Sequence, residues 1–306
     1  MTKMTRRYSL VLLLGALFVG CNSRFFSPTA PSDTSGLPWS PYIGIHASGE
    51  AHGAYQAVIP VLMDRGNMVG ARVGLTASEG INGTIKMIGS LGIELVGIID
   101  NEYLLDPNIE ARIDEIYATY PEITYFQVGN EVTNPNINSA TMSVVRYMIA
   151  LRRVYDHTQR FYSHKMLISQ STFGSGRIGG LELEEMVNLG LREMSSGKLI
   201  VGINVYTLEA VLEYSRVIRE HLSGYRIWVM ETGNSDPSQQ VQFVQNFYPQ
   251  LRTSLRAERI YWYVMWAGDD DIHMPGSESG FNLISNVLSP PLVYSPLFKE
   301  LAGVEE

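Results

Sequence analysis

From Tyr42 onward, short apolar runs alternate with longer amphipathic ones. The short runs are "YIGIH" (42–46), "VGARVGL" (69–75), "IELVGIID" (93–100), "ITYFQVGN" (123–130), "KMLISQS" (165–171), "LIVGINVY" (199–206), "RIWVME" (226–231) and "RIYWYVMW" (259–266). Each is nearly continuously apolar, the pattern of a strand buried on both faces. Between them lie segments with apolar residues three and four apart, such as "AYQAVIPVLMDRG", "NIEARIDEIYATY" and "TMSVVRYMIALRRVYDH", the spacing of one buried helix face. A last helical stretch, "VYSPLFKELAG", closes the chain. Eight strand–helix units in about 250 residues predict an α/β fold, a single (β/α)8 TIM barrel. A doubly wound open sheet shares the alternation, but the count of eight and the lack of a Gly-rich phosphate loop after the first strand favour the barrel.

The first forty residues read differently. Lys3, Arg6 and Arg7 precede the apolar run "YSLVLLLGALFVG", which leads directly to Cys21. A positive segment followed by a short apolar one is an export signal, too short to span a bilayer comfortably. "LFVGC" resembles a bacterial lipobox, with Phe18 where Leu is usual and Cys21 as the acylated residue. The alternative is an ordinary secretory leader or a membrane anchor with an incidental cysteine. The expected organisation is a lipoprotein signal peptide (1–20), a Ser/Pro-rich tether (21–40) and a catalytic barrel (41–306) held to a cell envelope by lipid at Cys21. Asn22, rather than Asp, at the next position points to outer-membrane sorting in a cell with two membranes.

Composition then narrows the function. The 306 residues are 45% hydrophobic, enough for a full core, and carry a formal charge of −8. Losing the leader's three cations would take the charge to about −11. Such a chain has no basic surplus with which to neutralise phosphates, which argues against nucleic-acid binding. The lone cysteine excludes an internal disulfide and any Cys-rich metal site.

In a parallel barrel, chemistry sits at the C-terminal strand ends. Those ends offer His46, Arg72 within the second run, Asp100 and Asn101, Asn130 and Glu131, Ser169 and Gln170, Asn204 and Tyr206, Glu231, and Trp266. Two carboxylates on different strands facing one cleft, Glu131 and Glu231, are what glycoside hydrolysis requires: one protonated to expel the leaving sugar, one ionised to attack the anomeric carbon.

"GNE" at 129–131 and "METG" at 230–233, with "NVY" at 204–206, Arg72 and Trp266, resemble the motifs of the clan A glycoside hydrolases. The resemblance covers Tyr42 to about Ala302; Asn204 stands where that family often has His. It implies a (β/α)8 barrel and a retaining mechanism on β-linked glycans. In that mechanism Glu131 is acid/base and Glu231 the nucleophile. Asn130 would bind the sugar 2-hydroxyl, Arg72 and Tyr206 would hold Glu231 ionised and oriented, and Trp266 would stack on the sugar. Asn204 and His46 are further candidate substrate contacts. Two other readings keep the same barrel: a non-catalytic glycan-binding surface lipoprotein, and a transglycosylase with the same two carboxylates.

No cofactor is expected. His46, Glu50 and His52 in "GIHASGEAHG" invite a metal, but no convincing third ligand accompanies them and the chemistry needs none. "GDDD" at 268–271 could line an outer subsite or hold calcium, although such runs are more often solvated loops. The expected partner is an oligo- or polysaccharide, with the protein acting as a monomer and touching membrane only through its anchor.

Overall fold

The structure is a computed structural model that describes residues 37–39, 42–75, 79–135, 140–172, 176–268 and 278–304. The leader, Cys21, most of the tether and the three aspartates of "GDDD" lie outside these residues.

Eight parallel strands close into a barrel in chain order: β1 (Tyr42–Ile45), β2 (Gly70–Gly74), β3 (Glu94–Ile99), β4 (Tyr125–Val128), β5 (Met166–Ile168), β6 (Leu199–Asn204), β7 (Ile227–Thr232) and β8 (Ala257–Trp262). β8 pairs back onto β1 through Tyr42–Tyr261 and Ile43–Trp262. The helices are α1 (His52–Asp64), α2 (Glu79–Ser90), α3 (Asn101–Leu104), α4 (Ile109–Thr119), α5 (Val144–Phe161), α6 (Gly176–Asn188), α7 (Leu208–His221), α8 (Gln240–Leu255) and α9 (Pro296–Ala302). This is the single TIM barrel that the alternation of runs predicts.

Successive residues of a strand face opposite sides of the sheet, so each strand feeds two separate cores. Phe126 faces outward, its ring centroid 4.5 Å from that of Tyr117 on α4. Tyr125 faces inward, 5.0 Å from the ring of Trp228. Val96, Ile168, Ile200, Trp228, Met230 and Tyr261 fill the barrel itself. A far larger apolar layer lies between strands and helices, and Trp39, just ahead of β1, joins it by stacking on Tyr248 at 6.0 Å.

Arg259 of β8 lies at the N-terminal end of the barrel interior. Its guanidinium carbon is 3.9 Å from the Trp228 ring centroid, 4.8 Å from Tyr125 and 5.0 Å from Tyr42. An ion pair with Glu94, at the start of β3, meets its charge. Three aromatic faces and one carboxylate thus allow a cation to occupy space that would otherwise demand an apolar side chain.

The structure departs from the sequence expectation at the eighth strand. The apolar run continues to Trp266, but β8 ends at Trp262. Beyond it the ladder is irregular: Tyr263 N still donates to Thr232 O of β7 at 2.7 Å and Met265 N to Gly44 O of β1 at 2.8 Å. A later segment joins there, with Leu283 and Ile284 donating their N–H groups to Met265 O at 3.1 and 3.0 Å. Continuous hydrophobicity here reflects burial, since Val264, Met265 and Trp266 are all buried although the regular strand ends at Trp262. The segment goes on into a small antiparallel pair, β9 (Ile284–Ser285) with β10 (Val293–Tyr294), which periodicity does not reveal.

Arg259→Ala should cost about 2–3 kcal/mol of unfolding free energy, because it removes the cation from three aromatic faces and strands Glu94. Glu94 keeps partial access to water, which places the loss at the lower end of the range for broken buried pairs. Urea unfolding of the two proteins measures it, and a loss below about 0.5 kcal/mol, the usual scatter for surface substitutions, would show that the cage is not part of the stability core.

Candidate active site

Strand parity brings Arg72 of β2, Gln127 of β4 and Asn204 of β6 to the barrel axis above the apolar plug, and all three are buried. Glu231 of β7 gets there by another route. Met230 already faces inward as part of the plug, so strict alternation would turn Glu231 toward the helices. A register shift prevents this: Ile203 pairs with Val229, but Asn204 pairs with Glu231, so two β7 residues oppose one on β6. Such a bulge re-aims a side chain, here turning a carboxylate into the barrel mouth.

Glu131 also depends on irregular backbone. Past the end of β4, Gly129 has φ +78° and Glu131 itself φ +42°. At Gly129 a Cβ would lie 2.9 Å from both Leu104 Cδ1 and Val132 Cγ1, so both the conformation and the space require glycine. Asn101 clamps the residue between them: it accepts from Asn130 N and donates to Asn130 O, each at 2.9 Å. Glu131 N donates to Ser171 O at 2.9 Å. A non-glycine residue in the left-handed region costs about 1–3 kcal/mol and persists only where its surroundings over-determine it.

The two carboxylates have different partners. Glu231 Oε1 accepts from Arg72 Nη1 at 2.7 Å and Oε2 from Tyr206 Oη at 3.0 Å. Asn130 Nδ2 lies 3.4 Å from Oε1. The guanidinium is fully committed, since Nε donates to Gln127 Oε1 at 2.7 Å and Nη2 to Asn130 Oδ1 at 2.9 Å. Glu131 has amide partners: Asn134 Nδ2 donates to Oε2 at 2.9 Å and Asn204 Nδ2 to Oε1 at 2.8 Å. The same Asn204 nitrogen donates to Glu231 Oε2 at 3.1 Å. One amide therefore bridges both acids, and the 2.8 and 3.1 Å bonds laid end to end keep their nearest oxygens within about 6 Å. The reverse orientation would set an amide oxygen against two carboxylates, so the NH2 faces them and Oδ1 is buried without a partner.

Around this centre the mouth is aromatic. Tyr206 and Tyr263 stand edge to face, and Phe281 packs on both, 5.8 Å from Tyr206 and 5.4 Å from Tyr263. Burial, then the charge of Glu231, raises the Tyr206 pKa well above its usual value, so the phenol keeps the proton it donates. His46 opens onto the mouth, 5.9 Å from the Tyr263 ring. Loss of surrounding water lowers its pKa, against the opposing pull of Glu231. Glu278, at the open edge, has its pKa raised, first by desolvation and then by Glu231.

Against known proteins, no family model matches the chain and no curated protein matches it by sequence. Solved structures do match by fold. A family 51 α-L-arabinofuranosidase from Bifidobacterium longum aligns with a TM-score of 0.56 and 10% identity, covering 87% of this chain and 72% of that one. The catalytic domain of a mannanase from Streptomyces sp. SirexAA-E gives 0.52 and 13%, covering 92% and 94%. A β-mannanase from Streptomyces thermolilacinus gives 0.52 and 12%, covering 80% and 83%. The chain shares the (β/α)8 barrel fold of these proteins.

In this barrel six of the sequence candidates, Arg72, Asn130, Glu131, Asn204, Tyr206 and Glu231, form one hydrogen-bonded group, with His46 at its edge. Trp266 lies four residues past β8, 6% exposed and within the large apolar layer. Sequence reasoning missed Gln127, Asn134 and Tyr263. Gln127 carries a signal, a lone polar residue inside an apolar strand at inward parity. Tyr263 sits within the aromatic run 261–263, where apolar patterning does not distinguish a mouth residue from a core one. Asn134 has no signal, because the turn after Glu131 alone brings it back onto the carboxylate.

Glu231→Gln should lower the His46 pKa further, since the carboxylate charge holds it up against desolvation. NMR titration of the His46 ring in the two proteins measures this; an unchanged midpoint would place His46 outside the site's field.

Proposed function

We propose that the protein is a retaining glycoside hydrolase acting on β-linked glycans, anchored to a cell envelope through Cys21. One observation carries the reading: two buried carboxylates from β7 and the β4 loop share a single amide hydrogen-bond donor, and one of them, Glu231, is ion-paired to Arg72. The bound of about 6 Å on their nearest oxygens is compatible with double displacement, for which the carboxyl groups stand about 5–5.5 Å apart.

The partners assign the roles. Glu231, ion-paired to Arg72 and hydrogen-bonded by Tyr206, is the ionised nucleophile. Its carboxylate attacks the anomeric carbon while Glu131 gives its proton to the departing glycosidic oxygen, leaving a covalent glycosyl-enzyme. Glu131, now ionised, takes a proton from water as that water attacks the same carbon and releases Glu231. Asn130 Nδ2, beside Glu231 Oε1, is placed to hydrogen-bond the sugar 2-hydroxyl. Tyr263, Tyr206 and Phe281 supply rings for the faces of the sugar. The arabinofuranosidase and mannanases that share the fold act on glycans, which agrees with this substrate class.

Screening the soluble protein against nitrophenyl glycosides and polysaccharides identifies the sugar, and no turnover on any would oppose the reading. Glu231→Gln should then lower kcat by roughly 10³-fold or more with folding intact. Glu131→Ala should lose roughly 10²- to 10⁴-fold on substrates with poor leaving groups, and azide should restore turnover with a product of retained configuration. A retained azide product from the Glu231 variant instead would exchange the two roles.

A further inference from the structure

Three carboxylates are buried among the described residues: Glu131, Glu231 and Glu182. The first two form the site. Glu182 lies on α6, away from the barrel axis, and the proposed chemistry leaves it without a role.

Its contacts lead back to the acid/base. Glu182 Oε1 accepts from Gln170 Nε2 at 2.9 Å and from Thr133 Oγ1 at 3.1 Å. The other end of the Gln170 amide, Oε1, accepts from Val132 N at 2.9 Å. The two residues that follow Glu131 are therefore both tied to one carboxylate, Val132 by its backbone through Gln170 and Thr133 directly by its hydroxyl. Gln170 is fully buried, and its own N–H donates to Tyr147 Oη at 2.6 Å. The helix carrying Glu182 is seated closely as well: at Gly180 a Cβ would come 2.7 Å from Glu213 Cβ of α7.

Burying a carboxylate costs several kcal/mol unless it is well hydrogen-bonded, and an apolar residue would fill this position of α6 more cheaply. An apolar residue could not orient Gln170. Its amide needs an acceptor at Nε2 so that Oε1 is presented to Val132 N, and it needs that direction fixed. The backbone it holds is the left-handed turn at Glu131, φ +42°, which relaxes if its flanks are free. A relaxed turn moves the Glu131 carboxyl away from the leaving-group oxygen, and proton transfer depends steeply on that distance.

We infer that Glu182 is a positioning residue for the acid/base: through Gln170 and Thr133 it holds the strained turn that aims Glu131. The inference rests on the glycosidase reading and adds to it a residue that touches no substrate. Its signature is selective. Loss of Glu182 should impair steps that need a proton from Glu131 and spare those that do not.

The test uses the full chain with phenyl and dinitrophenyl β-glycosides of the sugar found by the substrate panel. Glu182→Met keeps roughly the volume and removes the oxygen that accepts from both Gln170 Nε2 and Thr133 Oγ1. It should lower kcat/KM about ten-fold or more on the phenyl glycoside, whose leaving group needs protonation, and by no more than about two-fold on the dinitrophenyl one. Thr133→Val removes only the direct link and should show the same selectivity at smaller size, which keeps the test open if Glu182→Met fails to fold. Equal losses on both substrates, or none on the phenyl glycoside, would reduce Glu182 to a packing element and overturn the inference. Glu131→Ala, run alongside, separates the two levels. If it is selective and the Glu182 and Thr133 variants are not, only the positioning role falls. If it is not selective, the acid/base assignment falls and takes the positioning role with it.

Discussion

A guanidinium inside a closed barrel must be met on every side, and the architecture of the mouth follows from how Arg72 is met. Its side chain is 5% exposed, and an unpaired ion in that position would cost several kcal/mol. Gln127, Asn130 and Glu231 each take one of its nitrogens. Three strands are thereby fixed to one point at the height where chemistry occurs. Asn130 is oriented from two sides, since Gln127 Nε2 also reaches its Oδ1 at 3.2 Å. Glu231 is held with one oxygen on the cation and the other on Tyr206 and Asn204. The geometry of Glu231 is thus a by-product of neutralising a buried cation.

Arg259 and Arg72 both point into the barrel, with opposite purposes. Arg259, at the N-terminal end, is enclosed by Trp228, Tyr125 and Tyr42 and closes the barrel floor. Arg72, at the C-terminal end, is enclosed by amides and a carboxylate that face an open cleft. Between them the plug of Val96, Ile168, Ile200, Met230 and Tyr261 keeps the ends apart. Stability and reactivity therefore draw on different residues of the same strands, in keeping with the division of labour in parallel barrels. The loop that carries Glu131 is supported from a third direction, from α6 outside the barrel wall, while Asn204 in the barrel interior bonds both carboxylates.

Much of this was legible in the sequence. Eight apolar runs separated by amphipathic segments leave few folds open, because strands buried on both faces need helices to cover them. The strand ends named Arg72, Asn130, Glu131, Asn204, Tyr206 and Glu231, and these six meet. Where the apolar run outlasted the regular strand, at 263–266, the chain still bonds β1 and β7 and is also met by a segment remote in sequence. Periodicity reports that a residue is buried, and it is silent about which neighbour covers it.

By itself, the chain's own pattern determined the number of strands, their inward and outward faces, and which polar residues stand at their ends, since these depend on local spacing alone. The tertiary structure decided the rest. Alternation would have turned Glu231 away from Asn204, and the bulge that brings it inward exists only as a mismatch of register between β6 and β7. Glu131 is aimed by a left-handed turn that no local preference would choose, sustained by Asn101, Ser171 and the contacts from α6. Pairing register and enforced strain are properties of strands already assembled, so no single segment of sequence could have carried them.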